Sequence, residues 1–374
     1  GALVGSGLLS YVDTNGKLLS TDRTWEVIKN YNIGLDFGFL DNRLTGTAEL
    51  FWKKCNNMLI DVTYPGTLGD KAPTANRGSF KANGWEGTIN WSDKIGEISY
   101  HLGGTFTYTT NKLVDNGGDA VIKSGVVSNR EGYPLNSVFG LKYCGKIQTQ
   151  DQLDKYINQY ANGNNNIAMP GNLRLGDNMY EDVNKDGKLT EADYVYLGTD
   201  DPKVSFSFNA GLSWKGFDVS VIFQGAGKRT VWRGGENNQK GKNDNWRIPM
   251  MSWYNNSTNQ SVGNVWSAET PNAHYPTYTH QTQINLYNYI CSSWSVEDGA
   301  YLRLKNVTLG YTFPANVLSK TKFISYARIY VSGADLWENS KIKDGWDPEA
   351  SRKVETFGRY PFTRNLTVGL NLTF

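Results

Sequence analysis

Phe362-Thr-Arg-Asn-Leu-Thr-Val-Gly-Leu-Asn-Leu-Thr-Phe374 closes the chain, and the fold is decided by how this stretch is read. Successive side chains of an extended chain point to opposite sides, so Leu366, Val368, Leu370, Leu372 and Phe374 share one side, and small or polar residues share the other. A strand patterned this way has one apolar face and one wet face. Its meaning depends on whether the rest of the chain repeats it.

It does. Ile33, Leu35, Phe37 and Phe39 alternate with Gly34, Asp36 and Gly38, and the polar turn Asp41-Asn42-Arg43 leads into a second alternating run, Leu44 to Trp52. A second hairpin pairs Trp85–Trp91 with Ile98–Tyr108 across Ser92–Glu97, and a third pairs Val204–Trp214 with Phe217–Phe223 across Lys215-Gly216. Leu302–Phe313 and Ala327–Leu336 precede the terminal strand and bring the total to nine. The phase slips at Lys305-Asn306 and around Gly333, where β-bulges are expected.

Composition narrows the class. Mean hydropathy is −0.51 and no apolar run is long enough for a membrane-spanning helix. Barrel strands escape that test, because every second residue faces a polar interior. With 38 basic against 36 acidic residues and no basic stripe, nucleic acid is not an expected partner. Cys55, Cys144 and Cys291, an odd number without paired metal-ligand spacing, argue against a disulfide framework or a zinc site and read as incidental thiols.

Short turns (41–43, 92–97, 215–216) alternate with long polar segments (61–75, 113–202, 232–298, 337–361), as in a barrel with brief periplasmic turns and long extracellular loops. The strands that descend toward the short turns then end on Phe39, Trp91, Trp214, Phe313 and Phe374, an aromatic girdle at the membrane interface. The expected organisation is a loop tail over 1–30, two barrel hairpins over 31–112, a long extracellular loop over 113–202, a barrel hairpin over 203–231, an aromatic-rich loop over 232–298 and C-terminal barrel strands over 299–374.

Several stretches resemble the C-terminal part of SusC/RagA-family TonB-dependent outer-membrane transporters. They are Asn32-Ile-Gly-Leu-Asp-Phe-Gly-Phe with Asn42-Arg-Leu-Thr-Gly, Gly176-Asp177 with Asp182-Val-Asn-Lys-Asp-Gly, Trp214-Lys-Gly-Phe-Asp-Val-Ser-Val-Ile-Phe-Gln-Gly225, Tyr301-Leu-Arg-Leu-Lys-Asn-Val-Thr-Leu-Gly-Tyr311, Tyr330-Val-Ser-Gly333 and the Phe374 terminus. The resemblance implies an all-β fold, a transmembrane antiparallel β-barrel of which the chain holds the last nine or so of 22 strands. It further implies that the plug domain and the TonB-contacting segment lie outside this chain, that oligosaccharides or peptides are imported, and that a SusD-like lipoprotein covers the extracellular mouth.

Within the 113–202 loop, Asp182-Val-Asn-Lys-Asp-Gly-Lys-Leu-Thr-Glu-Ala-Asp193 follows the twelve-position EF-hand ligand pattern. Asp182, Asn184 and Asp186 supply oxygens at positions 1, 3 and 5, Lys188 its carbonyl, Thr190 its hydroxyl and Asp193 the final carboxylate. Asp in place of Glu at position 12 shortens the reach. Calcium is expected here in a structural role. An Asx-rich turn without metal is the plain alternative.

The 232–298 loop carries Trp232, Trp246, Trp253, Tyr254, Trp266, Tyr275 and Tyr278 among amides and Arg, side chains that stack on sugar rings or grip a peptide or a lid. Asp36, Glu49, Glu86, His101, Asp218, Arg303, Lys305 and Arg328 occupy the wet phase of the strands. Asp344-Gly-Trp-Asp-Pro-Glu349 reads as a turn or lid contact. His101, His274 and His280 are scattered, and no nucleophile elbow, phosphate loop or zinc-protease motif occurs, so no enzyme is expected. Two other readings share the strands: a passive porin, and a calcium-stabilised extracellular β-sheet adhesion protein.

Overall fold

Nine strands pair in chain order into a single antiparallel sheet: β1 (Val27–Phe39), β2 (Leu44–Asp61), β3 (Thr74–Ile95), β4 (Ile98–Asn116), β5 (Val204–Trp214), β6 (Phe217–Ala226), β7 (Tyr301–Thr312), β8 (Tyr326–Ser340) and β9 (Asn365–Thr373). The structure is a computed structural model that describes residues 23–61, 74–116, 127–160, 172–232, 263–279, 281–321, 323–342, 347–349 and 362–374.

Register turns the alternation of single strands into two faces. One row of Cα partners runs Phe39, Leu44, Trp91, Leu102, Ala210, Val221, Val307, Gly333, Leu366, crossing every strand without meeting a polar side chain. A second row, offset by three residues along β1, runs Asp36, Thr47, Thr88, Thr105, Ser207, Gln224, Arg303, Glu338 and is polar throughout. Because the side-chain period is two, this registry fixes which face is apolar. Hydroxyls on the polar face bond across strands, Thr47 to Thr88 at 2.8 Å and Thr105 to Ser207 at 2.7 Å.

The apolar face lies open. Leu366 and Val368 are 76% and 72% exposed, and Leu309, Phe208 and Ile329 are also exposed. No second sheet packs on it among the described residues. An apolar surface this continuous needs an apolar solvent.

Both expected bulges occur. Lys305 is skipped between Leu304 and Asn306, while Gly333 stays in register with Leu366 and the partner irregularity falls at Asp335, whose φ is 56°. β3 runs on to Ile95, so the turn is Gly96-Glu97 and not 92–97, and Trp91 sits four residues inside its strand. β1 starts at Val27, within the stretch expected as loop tail, and β4 continues to Asn116. On the polar face, absent side chains make room for rings: a Cβ on Gly211 would meet the His101 ring, and one on Gly369 would meet Tyr330.

At the end of the sheet opposite the short turns, the long connections do not trail as loops. They fold into a cap of small antiparallel ribbons, Val127–Ser128 with Ser137–Gly140 and Val195–Thr199, Tyr143–Lys146 with Asn178–Tyr180, and Thr230–Val231 with Glu297–Asp298. The helix Gln150–Tyr160 turns Leu153, Tyr156 and Tyr160 inward. They join Phe139, Leu141, Ile147, Leu173, Tyr180, Leu189, Tyr194 and Tyr287 in one core. Tyr287 belongs to the 232–298 connection and the others to 113–202, so two connections share one interior.

Candidate functional site: the polar wall and its cap

Two of the charged residues of the polar face, Arg328 and Asp218, pair with each other, and Glu49 is met by an amide. Arg328 reaches back to Asp218, with Nε 3.0 Å from Oδ1, and Asn32 donates to Glu49 at 2.8 Å. Asp36, Glu86 and His101 share this face with hydroxyls and amides: Thr45, Asn90, Asn209, Ser220, Asn306 and Thr308. Such a surface donates and accepts hydrogen bonds without a dominant charge.

Arg303 and Lys305 lead from wall to cap. Arg303 is fully buried; it donates to Glu338 on the neighbouring strand and to Asp347 at 2.8 Å, and lies 3.1 Å from Glu349. Lys305 reaches Glu349 at 2.9 Å and Asp335 at 3.3 Å. Phe362 covers the guanidinium at 4.0 Å. Asp347 and Glu349 therefore fasten the last connection to the wall, as expected of a turn or lid contact; Asp344 lies outside the described residues. Arg229, on the middle connection, ties all three together. Its guanidinium holds Asp200 at 2.6 Å and the Pro348 carbonyl at 2.9 Å. The sequence carried a signal for this in the matching i, i+2 spacings of Arg303/Lys305 and Asp347/Glu349, but not for the partnership.

Inside the cap, tyrosines and amides satisfy one another. The hydroxyls of Tyr156 and Tyr287 are 2.6 Å apart, and Tyr156 also accepts from the Tyr180 amide at 2.8 Å. Asn288 accepts from the Asn178 amide and donates to Asp177, both at 2.8 Å. Burial pushes Tyr156 and Tyr287 above the ordinary phenol value, and it also raises the Asp177 carboxyl.

The 182–193 loop is wound as its glycine predicts, with Gly187 at φ 78° and Lys185 at φ 61°. Asp182 accepts from the amides of Asp186 (3.2 Å) and Gly187 (2.8 Å), Asn184 from Asp186 (3.0 Å), and Asp186 from Lys188 (2.9 Å). Asp193 is buried and accepts from Val183 (2.9 Å) and Thr190 (2.8 Å). The Thr190 hydroxyl takes the Ala192 amide at 3.2 Å. Among the described residues no three His, Cys, Asp or Glu side chains converge in a metal-binding group. The oxygens instead accept from backbone amides around the loop.

The aromatics of the 232–298 connection part company. Trp232 is buried against Val138 and Cys291, so its ring is a core element and not a ligand platform as expected. Trp266 donates its indole N–H to Gln148 at 2.9 Å and lies over Gly176, where a Cβ would collide with the ring. Tyr275 packs edge-on to His274, and Tyr278 is exposed. Trp246, Trp253, Tyr254 and His280 lie outside the described residues. Phe39, Trp214, Phe313 and Phe374 stand exposed at the short-turn end, and Trp91 shares the register row of Phe39.

No family model matches the chain. The chain is 27% identical to TonB-dependent receptor P26 of Formosa agariphila over 96% of its length, covering 36% of that relative. It is 23% identical to TonB-dependent receptor SusC of Bacteroides thetaiotaomicron over 97% of its length, covering 33% of it. Among solved structures it is similar to the RagAB peptide importer in the open-open state, with a TM-score of 0.69 and 21% identity, covering 94% of this chain and 35% of that one. The chain thus spans about a third of the length of its relatives. Those relatives are receptors and importers, which agrees with the expectation that the chain is not an enzyme. The two-faced sheet, the cap at one end and these likenesses make the chain similar to TonB-dependent receptors such as SusC, with the fold of part of an outer-membrane β-barrel.

Proposed function

We propose that the complete receptor imports oligosaccharides across the outer membrane by a TonB-dependent mechanism. In this reading the chain forms one arc of the barrel wall and part of its extracellular cap. The observation that carries it is the polar row Asp36, Thr47, Thr88, Thr105, Ser207, Gln224, opposite an apolar face open to lipid. A wall rich in hydroxyls and amides suits sugars, whose groups donate and accept in equal measure. A SusD-like lipoprotein covers the cap, and the TonB complex engages a plug segment outside this chain. Phe39, Trp91, Trp214, Phe313 and Phe374 sit at the periplasmic membrane interface. Calcium binds Asp182, Asn184, Asp186, Lys188, Thr190 and Asp193 and stiffens the cap; the amide-bonded winding of the loop around Gly187 supports this.

Cells expressing the complete receptor should take up fluorescent oligosaccharides only while TonB is functional. Uptake of labelled peptides with no uptake of sugars overturns the substrate class. Uptake that survives loss of TonB overturns active import and favours a passive pore. For calcium, elemental analysis of purified receptor should find an ion that Asp182→Ala combined with Asp186→Ala removes; unchanged stoichiometry contradicts the site.

A further inference from the structure

We propose that Arg130, Tyr133 and Tyr196 form a binding site for the carboxylate of a uronate unit in the transported oligosaccharide. The inference rests on the oligosaccharide reading and narrows it.

The three residues are held at the junction of wall and cap. Tyr133 closes a turn on Arg130, its amide 3.1 Å from the Arg130 carbonyl, and two backbone bonds at 2.8 and 2.9 Å pin the turn to Leu113 of β4. Asn111, in the same strand phase as Thr105 and Thr107 on the polar face, accepts from the Leu135 amide at 2.8 Å. The turn therefore lies on the polar side of the sheet, where a ligand passes.

Arg130 is held flat. Its guanidinium carbon stands 3.9 Å over the ring of Phe139, which is itself buried. Nε and Nη2 are shielded from water, and neither has a hydrogen-bond partner among the described residues. Arg303 and Arg229, the other cap arginines described above, are met by carboxylates in the fold. Burial lowers the Arg130 pKa, and the nearby Glu191 charge, which makes no hydrogen bond to it, does not make up the loss. A carboxylate is the group whose geometry answers a guanidinium fork.

Tyr133 and Tyr196 supply the second element. Both pack on Phe139, with centroids 5.2 and 5.8 Å from it, and their own rings are 5.2 Å apart at 38°. Each keeps a little over a third of its surface open, at 39% and 38%. An open tyrosine pair beside an unanswered guanidinium offers a surface for the C–H face of a sugar and a cation for its carboxylate. A neutral sugar would leave the guanidinium as it is.

The test uses the complete detergent-solubilised receptor and calorimetry with trigalacturonate, triglucuronate and trimannuronate, each beside its methyl ester. At least one acid should bind about tenfold or more tightly than its ester, a gap that Arg130→Gln closes and Arg130→Lys keeps in part. Tyr133→Ala with Tyr196→Ala should weaken acid and ester alike. Equal affinity of acid and ester overturns the uronate site and leaves the oligosaccharide reading standing. A gap that persists in Arg130→Gln overturns the role of Arg130. Binding of an acidic tripeptide but of none of the six sugars overturns both, whereas binding of no probe overturns the uronate site alone. If Arg130 instead pairs with Glu191 as a purely structural contact, Arg130→Gln and Glu191→Gln will lower the unfolding temperature alike and leave ligand affinities unchanged.

Discussion

The wall and the cap are built from the same chain by opposite means. In the wall, neighbouring strands satisfy one another's backbone groups, and the apolar side chains stay exposed because their solvent is lipid. In the cap, Tyr180, Phe139, Leu141 and Ile147 are withdrawn from water in the ordinary way, and tyrosine hydroxyls and amides pair inside. One region is a half-structure completed by its surroundings. The other carries its own core. The Arg303–Lys305 cluster is the seam between them.

The seam is where the comparison breaks most readily. Arg303→Met leaves Glu338, Asp347 and Glu349 without their shared guanidinium, and is expected to cost about 3–5 kcal/mol, the range for removing one partner of a buried charge pair. Thermal unfolding followed separately by cap fluorescence and by strand circular dichroism should show the cap signal leaving first. Arg303→Lys should recover part of the loss.

A smaller effect separates the two faces of the wall. Leu309→Arg, on the apolar face, should cost about 2–4 kcal/mol in a bilayer near the midplane, whereas Thr308→Arg, one residue away on the polar face, should cost far less. Refolding yield into lipid vesicles reads the difference. Equal penalties would mean that the faces are wrongly assigned.

Within the cap, Asn288→Ala strands Asp177 and the Asn178 amide in a buried site and should cost about 1–3 kcal/mol, with strand circular dichroism unchanged. The smallest effect is on pH. Burial raises the Asp177 carboxyl, so the folded cap holds that proton more tightly than the unfolded chain. Its stabilisation is fully present below the unfolded value of about 4 and is lost as pH rises through the folded value. Asp177→Asn should flatten the pH dependence of cap unfolding across that window.

The same contrast explains what the sequence discloses. Every wall strand shows a period of two that nine strands repeat, and register then follows, down to the bulge at Lys305. The second bulge falls two residues beyond Gly333, because only the partner strand decides which residue is skipped. The cap has no such period. Tyr156, Tyr180 and Tyr287 meet from three separate segments, and Arg303 finds Glu338 and Asp347 at separations of 35 and 44 residues. Trp232 is misread for the same reason: an aromatic in a long connection looks free until its core partners, here Val138 and Cys291, are known. Arg130 carries no sequence signature, since what marks it is a missing partner.

The central claim is that the nine-stranded sheet separates lipid from a polar interior. It is tested most directly by spin labels placed one at a time at 366–373 of β9 in the complete receptor in lipid, after Cys144, the exposed free cysteine, is replaced by Ser. The account predicts a strict period of two. Labels at Leu366, Val368, Leu370 and Leu372 should be relaxed by oxygen dissolved in lipid, and labels at Thr367, Gly369, Asn371 and Thr373 by a water-soluble nickel complex. Accessibility that varies smoothly along the strand, or oxygen contact at the polar positions, would contradict it.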